Sequence, residues 1–411
     1  MELLGARLVS NPSEAVAGLS FIACGILLGT ASGLTPGLHV NTLALLLAAI
    51  APSFPGSPHL VGAAMLAAGV VHSFLDIVPA LAIGVPDAAM AMTALPGHRM
   101  VLGGRGKEAL RLSALGSGSA ILAAVVLGVP ITRLMGRVAP FLIQHLPIVL
   151  FAIASVMIVT EPTLERAFGG VLGVVMSGTL GLLTLDLTVQ GVLPAGDMLM
   201  PLLSGLFGIP VLLLAARGRG VPAQKGTSIA ANPLRSVFWG LLGALSGAVV
   251  AYIPGVSAAV AAAIAFVMTP GNAGDRGFVV TISGVNTANT VFALFALVSL
   301  GSPRTGVLVA FEEANLPPNL PLLLATILLA ASVAFVLVPY LGDRYLRLVG
   351  NADSRTLSLV VGGGLVLLAG LFTGFVGVLV LAVAAAIGMI PIWFNSRRVH
   401  LMGVLFVPLA L

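Results

Sequence analysis

The chain has 411 residues, of which 58% are hydrophobic and 8% charged, with mean hydropathy +1.13 and net charge +5. A soluble domain carries about 25% charged residues, so this chain has too few polar side chains to cover a water-facing surface. A cytosolic enzyme, a nucleic-acid module and a disulfide scaffold are excluded, the last also because Cys24 is the single cysteine.

Lipid admits only helices or closed barrels as spanning structures. A barrel strand would alternate apolar and polar residues. Here the apolar runs are continuous, as in Gly170–Leu185. The fold class is therefore all-α, a polytopic membrane protein. The lead-in Met1–Ala15 lacks a cleavable signal pattern, so the first span is expected to be retained. Windows of about 20 apolar residues place spans near 16–34, 60–83, 112–132, 139–160, 168–185, 197–216, 236–253, 278–300, 319–341, 357–374, 376–394 and 399–411. Two shorter apolar stretches, 37–51 and 255–269, each follow a Pro-Gly pair. The expectation is ten to twelve spans plus shorter embedded pieces.

Charge supplies the orientation. Gly97–Arg111 holds four basic residues and one acid, and Arg217–Arg235 holds four basic and none acidic. Both read as cytoplasmic under the positive-inside rule, and four spans separate them. Arg133 and Arg137 run against this scheme. The polar stretch 217–235 divides the chain into a first membrane half, 1–216, a cytoplasmic linker and a second half, 236–411.

The halves resemble each other. Residues 18–50 and 236–269 are each an apolar run with spaced glycines, then Pro-Gly, then a second apolar run. Pro36 and Pro254 lie 218 residues apart. Downstream come two polar-spotted segments, His72–Asp87 and Ser283–Thr305, which carry the turns Gly84-Val85-Pro86 and Gly301-Ser302-Pro303. Interrupted apolar segments at matched places mark a transporter built from repeats, inverted or parallel.

Proline removes a backbone donor and glycine permits positive φ, so a Pro-Gly pair breaks a helix inside the membrane. The freed N–H groups and the positive end of the next half-helix suit an anion. A simple kink is the bland alternative. Matched breaks followed by His39, Asn41 and Thr42 in one half and Ser257 in the other favour a site. The substrate-binding candidates are Pro36, Gly37, His39, Asn41, Thr42, Pro254, Gly255, Ser257, Asn286 and Asn289. Asp76, Ser283 and Thr287 are the candidates for a coupling ion, because acids and clustered hydroxyls at membrane depth are costly unless partnered. The competing reading of the run from Ser283 is hydrogen-bonded glue between helices. There is no P-loop, HExxH or G-x-S-x-G motif, so no catalytic residue, metal or cofactor is expected beyond Na+ or H+ as coupling ion.

The pieces Gly33-Leu34-Thr35-Pro36-Gly37-Leu38-His39-Val40-Asn41-Thr42, Gly205-Leu206-Phe207-Gly208-Ile209-Pro210 and Ile253-Pro254-Gly255-Val256 resemble the large permease subunit of the tripartite tricarboxylate transporters, the TctA family, in its stand-alone prokaryotic branch. That resemblance implies a duplicated core and cation-driven uptake of a di- or tricarboxylate across a prokaryotic plasma membrane. Its implied partners are a small membrane subunit and a periplasmic or extracellular binding protein; a homodimer is also expected, and no nucleic acid. His39 and Asn41 depart from the small residues of better-known members. Pro254-Gly255-Val256-Ser257 is also similar to a stretch of polyprenyl-phosphate carrier translocases, so a lipid phosphate stays open as the anion, as does a non-transporting intramembrane protein.

Overall fold

The protein is seen in a computed structural model. The structure describes residues 2–3, 6–7, 12–38, 43–44, 47–48, 57–85, 94–193, 198–217, 220–226, 229, 232–253, 261, 265, 274–301, 303 and 305–411. Apart from a two-residue antiparallel ladder, Glu2–Leu3 with Ala6–Arg7, the regular structure among these residues is helical. The helices are α1 (Pro12–Leu34), α2 (Pro58–Leu75), α3 (Ile77–Ile83), α4 (Ala94–Leu102), α5 (Gly106–Gln144), α6 (Leu146–Val159), α7 (Leu164–Thr184) and α8 (Leu199–Ala215). They continue with α9 (Pro233–Ala251), α10 (Gly274–Leu300), α11 (Gly306–Glu313), α12 (Leu320–Asn351), α13 (Ser354–Gly388), α14 (Ile390–Trp393) and α15 (Arg398–Ala410). Starts carry the expected caps: Asn232, Asn319 and Asp353 accept from backbone N–H groups at the entries to α9, α12 and α13.

Eight helical stretches are long and apolar enough to cross a bilayer, and α6, α8 and α15 are shorter apolar helices. One stretch departs from the sequence reading. The spans expected at 112–132 and 139–160 are instead one 39-residue helix, α5, followed at His145 by the 14-residue α6. Arg133 and Arg137 stand exposed within the continuous helix α5 and mark no loop. The split expected at 374–376 is present. Gly374 has φ 66 and ψ −160 inside α13. Ser354 bonds the Ala215 carbonyl, and Gly362 packs on Ile209 and Leu212. Beyond Gly374, Gly388 returns to Leu206 and Pro210. The first arm of α13 thus runs down α8 and the second runs back along it.

Two helix pairs form the centre. In one, Gly25, Gly29 and Gly33 of α1 lie against Ala64, Ala68 and His72 of α2, ascending together. In the other, Gly243 and Gly247 of α9 lie against Thr281 and Val285 of α10, again ascending together. Small residues at such spacing let backbones approach closely. The glycines Gly25 and Gly29 precede Gly243 and Gly247 by 218 residues, the separation of Pro36 and Pro254. The carbonyls they meet, Ala64 and Ala68, precede Thr281 and Val285 by 217, as Gly84 precedes Gly301. Both of the last glycines cap their helices with positive φ, 71 and 59.

The pairs run in opposite directions. Asn286 meets Ser73 and Asp76, whereas Gly97 sits between Leu81 and Val279. As the chain rises through α2 and α3 it therefore descends α10. α2, α3 and α10 are almost wholly buried, while the surrounding helices expose large apolar side chains. Lys and Arg gather at one end, where Arg99 pairs with Asp275, Arg276 with Glu108 and Lys107 with Asp343.

Candidate functional site

Pro79 cannot donate to the carbonyl of Leu75, and the helix that begins at Pro58 breaks at Asp76 before α3 resumes. Asp76 is 3% exposed. Across from it Asn286 lies near the middle of α10, about 20 Å from either end. The Asn286 Nδ2 group donates to the Asp76 carboxylate at 2.7 Å and to the Ser73 carbonyl at 3.0 Å. One amide has two N–H donors, so a single side chain serves both acceptors at the break. One helical turn away, His72 Nδ1 and Ser32 Oγ of α1 are 3.0 Å apart. His72 and Asn289 occupy matching positions in the two pairs, 217 residues apart.

The hydroxyls of the same run do different work. Ser283 donates to Ser113 Oγ at 2.8 Å, and Ser117 of α5 donates to the Ser283 carbonyl at 3.3 Å. Thr287 donates within α10 to the Ser283 carbonyl at 3.0 Å. Ser283 and Thr287 thus sit on the seam between α5 and α10, while Asn286 faces α2. Asn289 is 9% exposed and has no side-chain partner among the described residues.

Pro36 and Gly37 follow the end of α1. Gly37 has φ 79, and a Cβ there would overlap the Leu365 side chain of α13 and touch Ser204 Oγ of α8. Ser204 opens a π-turn, Ser204–Gly208, inside α8. Pro210 explains it: lacking an N–H, it leaves the Leu206 carbonyl without its usual donor, and the helix widens. Gly388 packs against that same carbonyl and against Pro210. The Gly205–Pro210 motif is therefore where the returning arm of α13 meets α8. His39, Asn41, Thr42, Pro254, Gly255 and Ser257 lie outside the described residues.

The structure brings Asp76 and Asn286 together, sets Ser283 and Thr287 on an adjoining seam, and docks Gly37 on α8 and α13. Ser32, Ser113, Ser117 and Ser204 complete these contacts, and sequence reasoning passed over them. Each is a single serine far along the chain from its partner, so local spacing carries no sign of it. Among the described residues no three His, Cys, Asp or Glu side chains form a group that could hold a metal ion.

A buried acid at a helix break, faced by an asparagine from an antiparallel helix pair, gives a polytopic, membrane-type helical protein a polar centre inside its most buried helices. The model of the tripartite tricarboxylate transporter TctA family matches residues 19–403, and the chain belongs to that family. It is 26% identical over 404 residues to an uncharacterized protein of Methanocaldococcus jannaschii, covering 95% of this chain and 97% of that one. No solved structure matches. The family's members work in tripartite transporters with other subunits, so the chain is a multi-pass transporter component.

Proposed function

We propose that the chain is a secondary active permease for a small organic anion of the di- or tricarboxylate class, driven by a sodium or proton gradient across a prokaryotic plasma membrane. The observation that carries this reading is the Asp76–Asn286 contact between two antiparallel helix pairs. An ionised carboxylate at that depth costs several kcal/mol unless it is compensated. A proton or Na+ taken up at Asp76 removes the charge and changes what Asn286 and the Ser73 carbonyl meet. Ion loading is then linked to the relative placement of the pairs, because a ligand shifts a conformational equilibrium by its differential affinity. The substrate anion in this reading lies at the two Pro-Gly breaks, held by Pro36, Gly37, His39, Asn41, Thr42, Pro254, Gly255 and Ser257 with Asn286 and Asn289. Ser283 and Thr287 support the ion side. No catalytic step or cofactor is required. A small membrane subunit and an external binding protein are its proposed partners, and the basic end faces the cytoplasm.

Proteoliposomes test it. Wild type should exchange labelled citrate or succinate and accumulate it under a sodium or proton gradient. Asp76→Asn should keep exchange and lose gradient-driven accumulation by at least about tenfold, the equivalent of 1.4 kcal/mol of lost coupling. Failure of wild type to move any carboxylate under either gradient sinks the reading.

A further inference from the structure

The basic end holds a cavity that the transport reading does not use. It has a volume of about 710 Å³ and lies between the start of α7, α14 and the turn into α15. Four guanidinium groups line it, Arg99, Arg166, Arg397 and Arg398, against one carboxylate, Glu161. Glu161 is already engaged, since its Oε1 accepts from the Arg397 backbone N–H at 2.9 Å and lies 2.8 Å from His400 Nε2. Arg397 also spends its two terminal nitrogens on Thr160, and Arg99 donates to Asp275. The side chains of Arg166 and Arg398 have no partner among the described residues. Burial without a counter-charge holds the Arg398 pKa below the usual guanidinium value. The Ser396 hydroxyl, also on the cavity wall, is buried without a hydrogen-bond partner. Arg398 additionally borders a second cavity of about 360 Å³ with His98, Ser354 and Ser358.

Surplus, partly buried guanidinium groups and an idle hydroxyl on one cavity wall are chemically suited to an anion. Planar guanidinium groups match phosphate oxygens in pairs. The surroundings favour a membrane source. Trp393 at the end of α14 is 67% exposed, and Leu164 and Phe168 at the start of α7 are 90% and 59% exposed. Tryptophan and apolar side chains at helix ends mark the headgroup level. Basic pockets between spanning helices hold anionic headgroups in just this setting.

We propose that Arg166, Arg398 and Ser396 form a phosphate-type anion site at the basic end, filled from the bilayer by the headgroup of an anionic phospholipid. It is separate from the polar centre at Asp76, so its test needs no transport. Native mass spectrometry and thermal unfolding of the full chain in neutral detergent provide it, with phosphatidylglycerol, phosphatidylcholine and inorganic phosphate as probes. Wild type should retain and be stabilised by phosphatidylglycerol over phosphatidylcholine. Arg166→Gln and Arg398→Gln should each weaken that preference about tenfold, the worth of one charge-assisted contact, and Ser396→Ala by less. Arg398→Lys should restore part of it. Stabilisation by inorganic phosphate with the same arginine dependence, and none by phosphatidylglycerol, would assign the site to a free anion. Should Arg398→Gln fail to fold, Arg166→Gln and Ser396→Ala carry the comparison. Phosphatidylglycerol and phosphate effects unchanged in these variants overturn the site.

Discussion

Asn286 and Asn289 stand one turn apart on α10 and differ in what they touch, and that difference separates two roles. Asn286 donates to a carbonyl and a carboxylate in α2 and its break. Asn286→Ala should therefore lower the unfolding free energy by about 1–3 kcal/mol, the cost of leaving buried acceptors unserved. Asn289 makes no such bond, so Asn289→Ala should leave the unfolding midpoint within about 0.5 kcal/mol of wild type and lower affinity for a confirmed substrate. An Asn289→Ala protein with wild-type affinity would remove that residue from the site. At the basic end, burial and then the nearby Arg398 charge hold His98 below its ordinary 6.5, outweighing its Nδ1–H bond to the Leu81 carbonyl at 2.7 Å. The folded state then binds fewer protons than the unfolded one, so stability falls as pH drops below about 6.5 until the lower folded value is passed. His98→Gln should flatten that slope in thermal unfolding at pH 5 to 7. An unchanged slope would show that other groups set it.

The helix pairs were legible in sequence because their cause is local. Glycines at four-residue spacing and a Pro-Gly pair recur at one offset in both halves, and the structure turns that offset into matched packing. The division at Gly374 was legible too, since two apolar runs exceed one span. The long α5 was not, because Arg133 and Arg137 look like a loop to any rule that expects charges to end a helix, whereas both sit exposed within one continuous helix. The direction of the pairs was also hidden, since it depends on which residues of α2 and α10 meet, 213 and 210 positions apart. Packing in the pairs is testable. A Cβ at Gly243 would run into the Thr281 carbonyl, which cannot rotate away, whereas nothing lies within 4 Å of one at Gly136. Gly243→Ala should cost about 1–3 kcal/mol as overpacking, and Gly136→Ala should gain up to about 1 kcal/mol from helix propensity. Equal effects at the two positions would contradict the tight seam.

At the scale of the molecule, the α1–α2 and α9–α10 pairs carry matched glycine packing and run in opposite directions. The α1–α2 pair starts at the end away from the basic cluster, and the α9–α10 pair starts at the basic end. If a pseudo-two-fold axis in the membrane plane relates them, a move that opens the polar centre to one side has a near-equivalent that opens it to the other. Such a protein alternates access without needing two different mechanisms. The prediction concerns which face each pair enters from. In a Cys24→Ser background, Ser13→Cys precedes the first pair and Ile229→Cys the second; all three native residues are exposed. With right-side-out vesicles and a membrane-impermeant thiol reagent, Ser13→Cys should label and Ile229→Cys should not. Permeabilised vesicles should label both. The expected direction follows from the positive-inside rule, under which a basic end is the one retained in the cytoplasm. Reversal of the two results would invert the orientation but keep the antiparallel arrangement. Labelling of both cysteines in sealed vesicles would place the two starts on one face, and the antiparallel relation between the halves would fall.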